Sequence, residues 1–192
     1  MSICLLLSCL LLWEGCDGRD AARGSGLPPP ARDSLVAIFG PRVAPLGLRV
    51  TRVGLQDRES RGPSETGRHL ALYVEPTSSW SDARFVETIV PLGRELVPYT
   101  FDRWGGLESF DVCQEPSPGV DDRPEPVSMT VLDITREGAA GVDWGRTDLP
   151  SLLAAVLRSP DSTRLFFARP LGEQPDLVAA EARARELAGK PG

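Results

Sequence analysis

Apolar and polar residues alternate most cleanly in "HLALYVEP", where Leu70, Leu72 and Val74 point one way and His69, Ala71, Tyr73 and Glu75 the other. That period of two predicts a strand ended by Pro76. Upstream, "SLVAIFGPRVAPLG" predicts a short helix stopped by Gly40 and Pro41, and "LRVTRVGLQD" a strand whose alternation is mixed. Residues 58 to 68, with Gly62, Pro63 and Gly67, read as an open loop. Downstream, Phe85, Ile89, Leu92 and Leu96 recur at helical spacing as far as Trp104, but Pro91 and Pro98 each remove an amide donor. The spacing therefore predicts a kinked helix or two helices in succession.

"LESFDVCQEP" returns as a strand burying Phe110 and Val112, and "PGVDDRPEP" is an acidic, proline-rich connection. "VSMTVLDIT" predicts a strand with Val127, Met129 and Val131 on one face. Thr135 is placed to cap a short helical turn, Thr147 to cap an amphipathic helix with Pro150 in its first turn, and Asp176 to cap a final alanine-rich helix after the strand "TRLFFARP". The order α-β-β-α-β-β-α-β-α, with no glycine-rich phosphate loop between a strand and a helix, predicts a single α+β domain over residues 34–192. It should contain about five mostly antiparallel strands with helices packed on one face.

The apolar run Ile3–Trp13 is too short to cross a bilayer of roughly 30 Å as a helix and suits the core of an export signal. It ends at Gly15 and Cys16, and a Gly-, Pro- and Arg-rich stretch follows at once. In this it resembles the end of a bacterial lipoprotein signal, where a small residue precedes the cysteine that is acylated after cleavage. The resemblance covers residues 1–16. It implies that Cys16 carries lipid, that residues 17–33 are a flexible tether, and that the domain is extracytoplasmic, held to the cell membrane or secreted. A buried N-terminal helix is the alternative for the same run.

Composition narrows the partners. Arginine supplies nearly all the basic residues, with Lys190 the single lysine, and asparagine is absent, a skew expected of a GC-rich genome. The formal net charge is −6, which leaves no basic excess to neutralise phosphates, so nucleic acid is disfavoured. Cys4 and Cys9 lie in the signal-like segment and Cys16 is the acylation candidate, so Cys113 stands without a cysteine to pair with or a CxxC for zinc.

The chemistry-bearing positions are sparse. The one histidine, His69, begins a strand on its polar face, and no GxSxG occurs. Its pairing with Cys113 as a nucleophile competes with a surface histidine and a buried, inert cysteine. "FDVCQEP" sets Asp111, Cys113 and Glu115 on one strand face, a row that suits a polar binding groove or a solvated sheet face better than a metal. Trp80, Trp104 and Trp144 fall at element ends, either as a ligand platform or as caps on a small core.

These residues assemble no catalytic set, and no cofactor or metal is indicated. The reading is a membrane-tethered or secreted binding domain. Its partner, a protein or small molecule, would meet a polar, acidic sheet face carrying Tyr73, Glu75, Asp111, Cys113 and Glu115, with Cys113 open to solvent. The alternatives are an extracytoplasmic hydrolase using Asp111, Glu115 or Asp133 as acid and base, and a cytoplasmic regulatory domain.

Overall fold

The computed structural model describes residues 29, 31–57, 68–117, 119 and 128–189. The elements run α1 (Arg32–Val43), β1 (Leu48–Asp57), β2 (Arg68–Pro76), α2 (Asp82–Arg103), β3 (Leu107–Gln114), β4 (Thr130–Thr135), α3 (Arg136–Ala140), α4 (Leu149–Arg158), β5 (Thr163–Phe167) and α5 (Pro175–Ala188). The five strands form one sheet in the order β1-β2-β3-β4-β5. Only the β2–β3 pair is parallel, and α2 makes the crossover between them.

Alternation decides which face the helices cover. Leu70, Leu72 and Val74 of β2, Phe110 and Val112 of β3, and Leu132 and Ile134 of β4 are fully buried in one core with Leu35, Phe39 and Val43 of α1 and Ile89, Leu92 and Leu96 of α2. The fold is thus the expected α+β domain of mostly antiparallel strands with helices on one side. A smaller cluster of Phe85, Val86, Leu171 and Leu177 joins α5 to the rest.

The mixed alternation of β1 has a local cause. The pairing runs Val50↔Val74 and then Arg52↔Tyr73, so Thr51 is an extra residue bulged out of the ladder. Leu48 and Val50 face the core before the bulge, and Val53 and Leu55 after it.

Several element ends differ from the sequence reading. Helix α1 passes through Gly40 and Pro41 and gives way to a 3-10 turn, Ala44–Leu46, closed by Gly47 at φ 76°. A residue with a Cβ would crowd the proline ring from position 40, and glycine has none. Helix α2 is one continuous element of 22 residues. The carbonyls that Pro91 and Pro98 leave without an i+4 donor belong to Glu87 and Arg94, on the exposed side of the helix where water can serve them.

The buried face of β4 is Thr130, Leu132 and Ile134, so Val131 belongs to the opposite face with Asp133. Asp148, not Thr147, caps α4 by accepting from the Ser151 amide at 2.8 Å. Gln174 is the residue before α5, and Asp176 lies within its first turn. Thr135 caps α3 as expected. The expectations for residues 58–67, for most of 118–127, and for the signal and tether up to residue 28 lie outside the described residues.

Candidate functional site

The sheet face opposite the helices holds the polar residues singled out in the sequence. Parallel pairing sets Ala71 beside Asp111 and Tyr73 beside Cys113, and the Glu115 amide extends the ladder by donating to the Val74 carbonyl at 2.7 Å. Tyr73, Glu75, Asp111, Cys113 and Glu115 therefore occupy one face of β2 and β3, as alternation requires.

Their environment differs from an open acidic surface. The bulge at Thr51 turns Thr51 and Arg52 onto this face: the Thr51 hydroxyl donates to Glu115 Oε2 at 2.6 Å, and the Arg52 guanidinium sits 3.1 Å from Glu115 Oε1. The same guanidinium stacks 3.7 Å above the Tyr73 ring. Glu75 is paired with Arg49. The recessed carboxylates are thus neutralised, and the solvent-exposed groups are the arginines, with side chains 62% (Arg49) and 51% (Arg52) exposed against 17% for Glu75 and 6% for Glu115. Burial, with the nearby Cys113 and carboxylates and against Arg52, raises the Tyr73 phenol above its ordinary value.

Cys113 is buried, which corrects the expectation that its thiol is open to solvent. Burial, reinforced by Asp111 and opposed by a hydrogen bond with Ser128, pushes the thiol up to about 12, so it is a poor source of thiolate.

His69 is buried as well, not a surface histidine. Its Nδ1 lies 2.8 Å from Ser109 Oγ and its Nε2 3.1 Å from Asp111 Oδ2. One ring thus links the Ser109 hydroxyl and the Asp111 carboxylate, which accepts from Nε2. Cys113 is four residues, about 13 Å, further along β3 from Ser109, so the histidine serves Ser109 and Asp111 and not the cysteine.

Asp111 also faces Asp133 directly across the β3–β4 ladder. Desolvation is the main cause that raises the Asp111 carboxyl above the usual carboxylate range; the His69 hydrogen bond opposes it and Asp133 adds to it. Asp111 Oδ1 is buried without a hydrogen-bond partner, which disfavours the ionised carboxylate in the same direction as desolvation.

Serine, histidine and aspartate linked through one ring have the connectivity of a nucleophile triad. The surroundings do not suit that chemistry. Ser109 is 0% exposed in the middle of a strand, and β3 is paired with β2 on one side and β4 on the other, so its amides are committed to ladders and not turned toward an oxyanion. Among the described residues, no set of three or more His, Cys, Asp or Glu side chains is arranged to hold a metal ion.

Trp104 and Trp144 are buried and Trp80 partly so; all three pack in the core as caps. Sequence reasoning missed Thr51, Arg52 and Ser109. The broken alternation of "LRVTRVGLQD" is the signal for the first two, since a bulge is what turns consecutive residues toward one face. Ser109 has no comparable signal, because its role depends on the register of β2 against β3.

No protein-family model matches the chain, and no curated protein or solved structure matches it either. Among the described residues, no helix is long and apolar enough to cross a membrane.

Proposed function

We propose that this chain is an exported binding domain, tethered to the membrane through lipid on Cys16, that takes a partner on the sheet face of β1–β3 and catalyses nothing itself. The observation that carries the reading is the Arg52–Tyr73–Glu115 arrangement. A half-exposed guanidinium is held over an aromatic ring by a recessed carboxylate, with Arg49 beside it. Arginine and tyrosine pre-ordered in this way offer donors and a flat apolar surface at little entropic cost, which suits a protein partner presenting carboxylates or other hydrogen-bond acceptors. The burial of Ser109, His69 and Cys113 weighs against a hydrolase working on this face.

Two experiments test the two halves. An acyl-chain probe fed to a bacterial host should label the wild type and not Cys16→Ser; equal labelling of both removes the tether. A photo-crosslinking residue placed at Arg49 should give one discrete adduct in cells, lost when Arg52→Glu is added. Adducts that are absent, or unchanged by Arg52→Glu, remove the binding face.

A further inference from the structure

A second surface lies on the helical side, away from the polar sheet face. Helix α2 and the first turns of α4 and α5 frame an open cavity of about 550 Å3. Its floor includes Val90, Leu149 and Ala179, and its rim carries Glu87, Asp148 and Asp176. Pro91 and Arg94 line it as well, and they also line a second open cavity, of about 600 Å3, between α1 and α2. Pro91 and Arg94 thus stand between the two hollows, and the one framed by α2, α4 and α5 forms a trough with apolar lining and a carboxylate rim.

Glu87, Asp148 and Asp176 line the cavity with one guanidinium, Arg94. Glu87 also pairs with Arg84 at 3.4 Å, an exposed contact that a competing cation can replace, so carboxylates remain in excess. The Arg94 guanidinium is already engaged, since it donates through Nε and Nη2 to the Thr147 carbonyl. Asp148 is held below the usual carboxylate range, chiefly by its hydrogen bonds with Ser151, so it remains charged. An independent feature points the same way. Pro91 has no amide to return to the Glu87 carbonyl, which leaves a main-chain acceptor without its helical donor at the trough wall. Carboxylates and a spare carbonyl around an apolar floor match a ligand that brings N–H donors and positive charge around an apolar anchor.

We propose that this trough is the docking site for a basic amphipathic peptide segment of a partner protein, its apolar side on Val90, Leu149 and Ala179 and its lysines or arginines against Glu87, Asp148, Asp176 and the Glu87 carbonyl. It is a separate site from the sheet face and stands or falls without it.

The test is fluorescence anisotropy on the purified full chain with a labelled amphipathic peptide of leucine and lysine, beside a peptide of the same pattern in leucine and glutamate. The lysine peptide should bind and weaken as salt rises, and the glutamate peptide should not bind. Ala179→Trp, which fills the floor from an exposed helical position, and the double change Glu87→Lys with Asp176→Lys should each weaken binding roughly tenfold or more. Circular dichroism checks that the variants fold, and if Ala179→Trp does not, the charge variant decides.

Absence of lysine-peptide binding overturns the proposal. So does affinity unchanged by a folded variant, or equal binding of the glutamate peptide. Sedimentation showing a wild-type dimer that Ala179→Trp dissociates also overturns it, because the trough is then an interface between copies of this chain.

Discussion

Cys113 sits in a row that alternation alone assigns to a polar face, yet its thiol behaves as a core group. With the thiol pushed up to about 12 by burial, little thiolate is present at neutral pH, before steric protection is counted. Maleimide labelling followed by mass should therefore be far slower in the folded protein than in the denatured chain, and comparable rates would contradict the burial. Asp111 gives a prediction with a definite sign. Its carboxyl is raised in the folded state, so the native protein binds more protons than the unfolded chain in the window above the ordinary carboxylate value. Stability contributed by this group is present at low pH and is lost as pH rises through the folded value. Asp111→Asn should accordingly change Tm more favourably at pH 7 than at pH 4. A less favourable change at pH 7 would mean that the hydrogen bond with His69 outweighs desolvation.

At the scale of elements, close approach constrains two glycines and one arginine ties distant segments together. A Cβ on Gly93 of α2 would fall 2.8 Å from the Trp144 ring, which is anchored by Nε1 donating to the Ala139 carbonyl, and a Cβ on Gly138 of α3 would land on the Ser162 carbonyl. Helix propensity favours alanine at Gly93 by about 1 kcal/mol, but overpacking costs about 1–3 kcal/mol. Chemical denaturation should show Gly93→Ala destabilised, and Gly138→Ala more so, because backbone yields less readily than a ring. Arg136 donates to the carbonyls of Phe101, Trp104 and Leu107, closing the end of α2 onto the start of β3. Arg136→Ala should cost about 3 kcal/mol, in the range for charged hydrogen bonds lost to partly buried acceptors, with Arg136→Lys recovering only part. An unchanged denaturation midpoint in Arg136→Ala would show the staple to be idle.

These elements also mark where the sequence was legible. Strands β2 and β3 were readable because period-two alternation is local, and β1 was readable over its full bounds from its β-branched and apolar run although the bulge breaks its alternation. For β4, alternation grouped Val127, Met129 and Val131 on one face but could not say which face is inward, and the strand's own buried pair is Leu132 and Ile134. The end of α1 was misplaced because Gly40 and Pro41 read as stops. Pro91 and Pro98 left α2 as a kinked helix or two in succession, where the chain forms one continuous element. Val43 beyond Gly40, Val97 beyond Pro91 and Phe101 beyond Pro98 are buried, and that burial outweighs the lost amides. The candidate face was legible as a row, but its electrostatics were not. Arg49, Arg52, Ser109 and Asp133 reach it only through strand register and a bulge, which are contacts between segments far apart in sequence.

For the molecule as a whole, topology decides where rigidity lies. β2 and β3 are paired on both sides, their inward residues are wholly buried beneath α1 and α2, and His69, Ser109 and Asp111 bind the two strands together on the other face. β5 is a five-residue strand at the end of the sheet order, paired only with β4 among the described strands, and Phe166 on it is 52% exposed. Local opening costs least where few buried contacts and unshared ladders meet. Native-state hydrogen exchange should rank the amides of β2 and β3 slowest, those of β4 next, and those of β5 fastest among the strands. His69→Ala should accelerate exchange in β2 and β3 before it affects β5, because it cuts a tie between the central pair and leaves the edge ladder intact. If β5 were protected as strongly as β3, rigidity would not follow from this topology, and the pre-ordered sheet face proposed for binding would lose its physical basis.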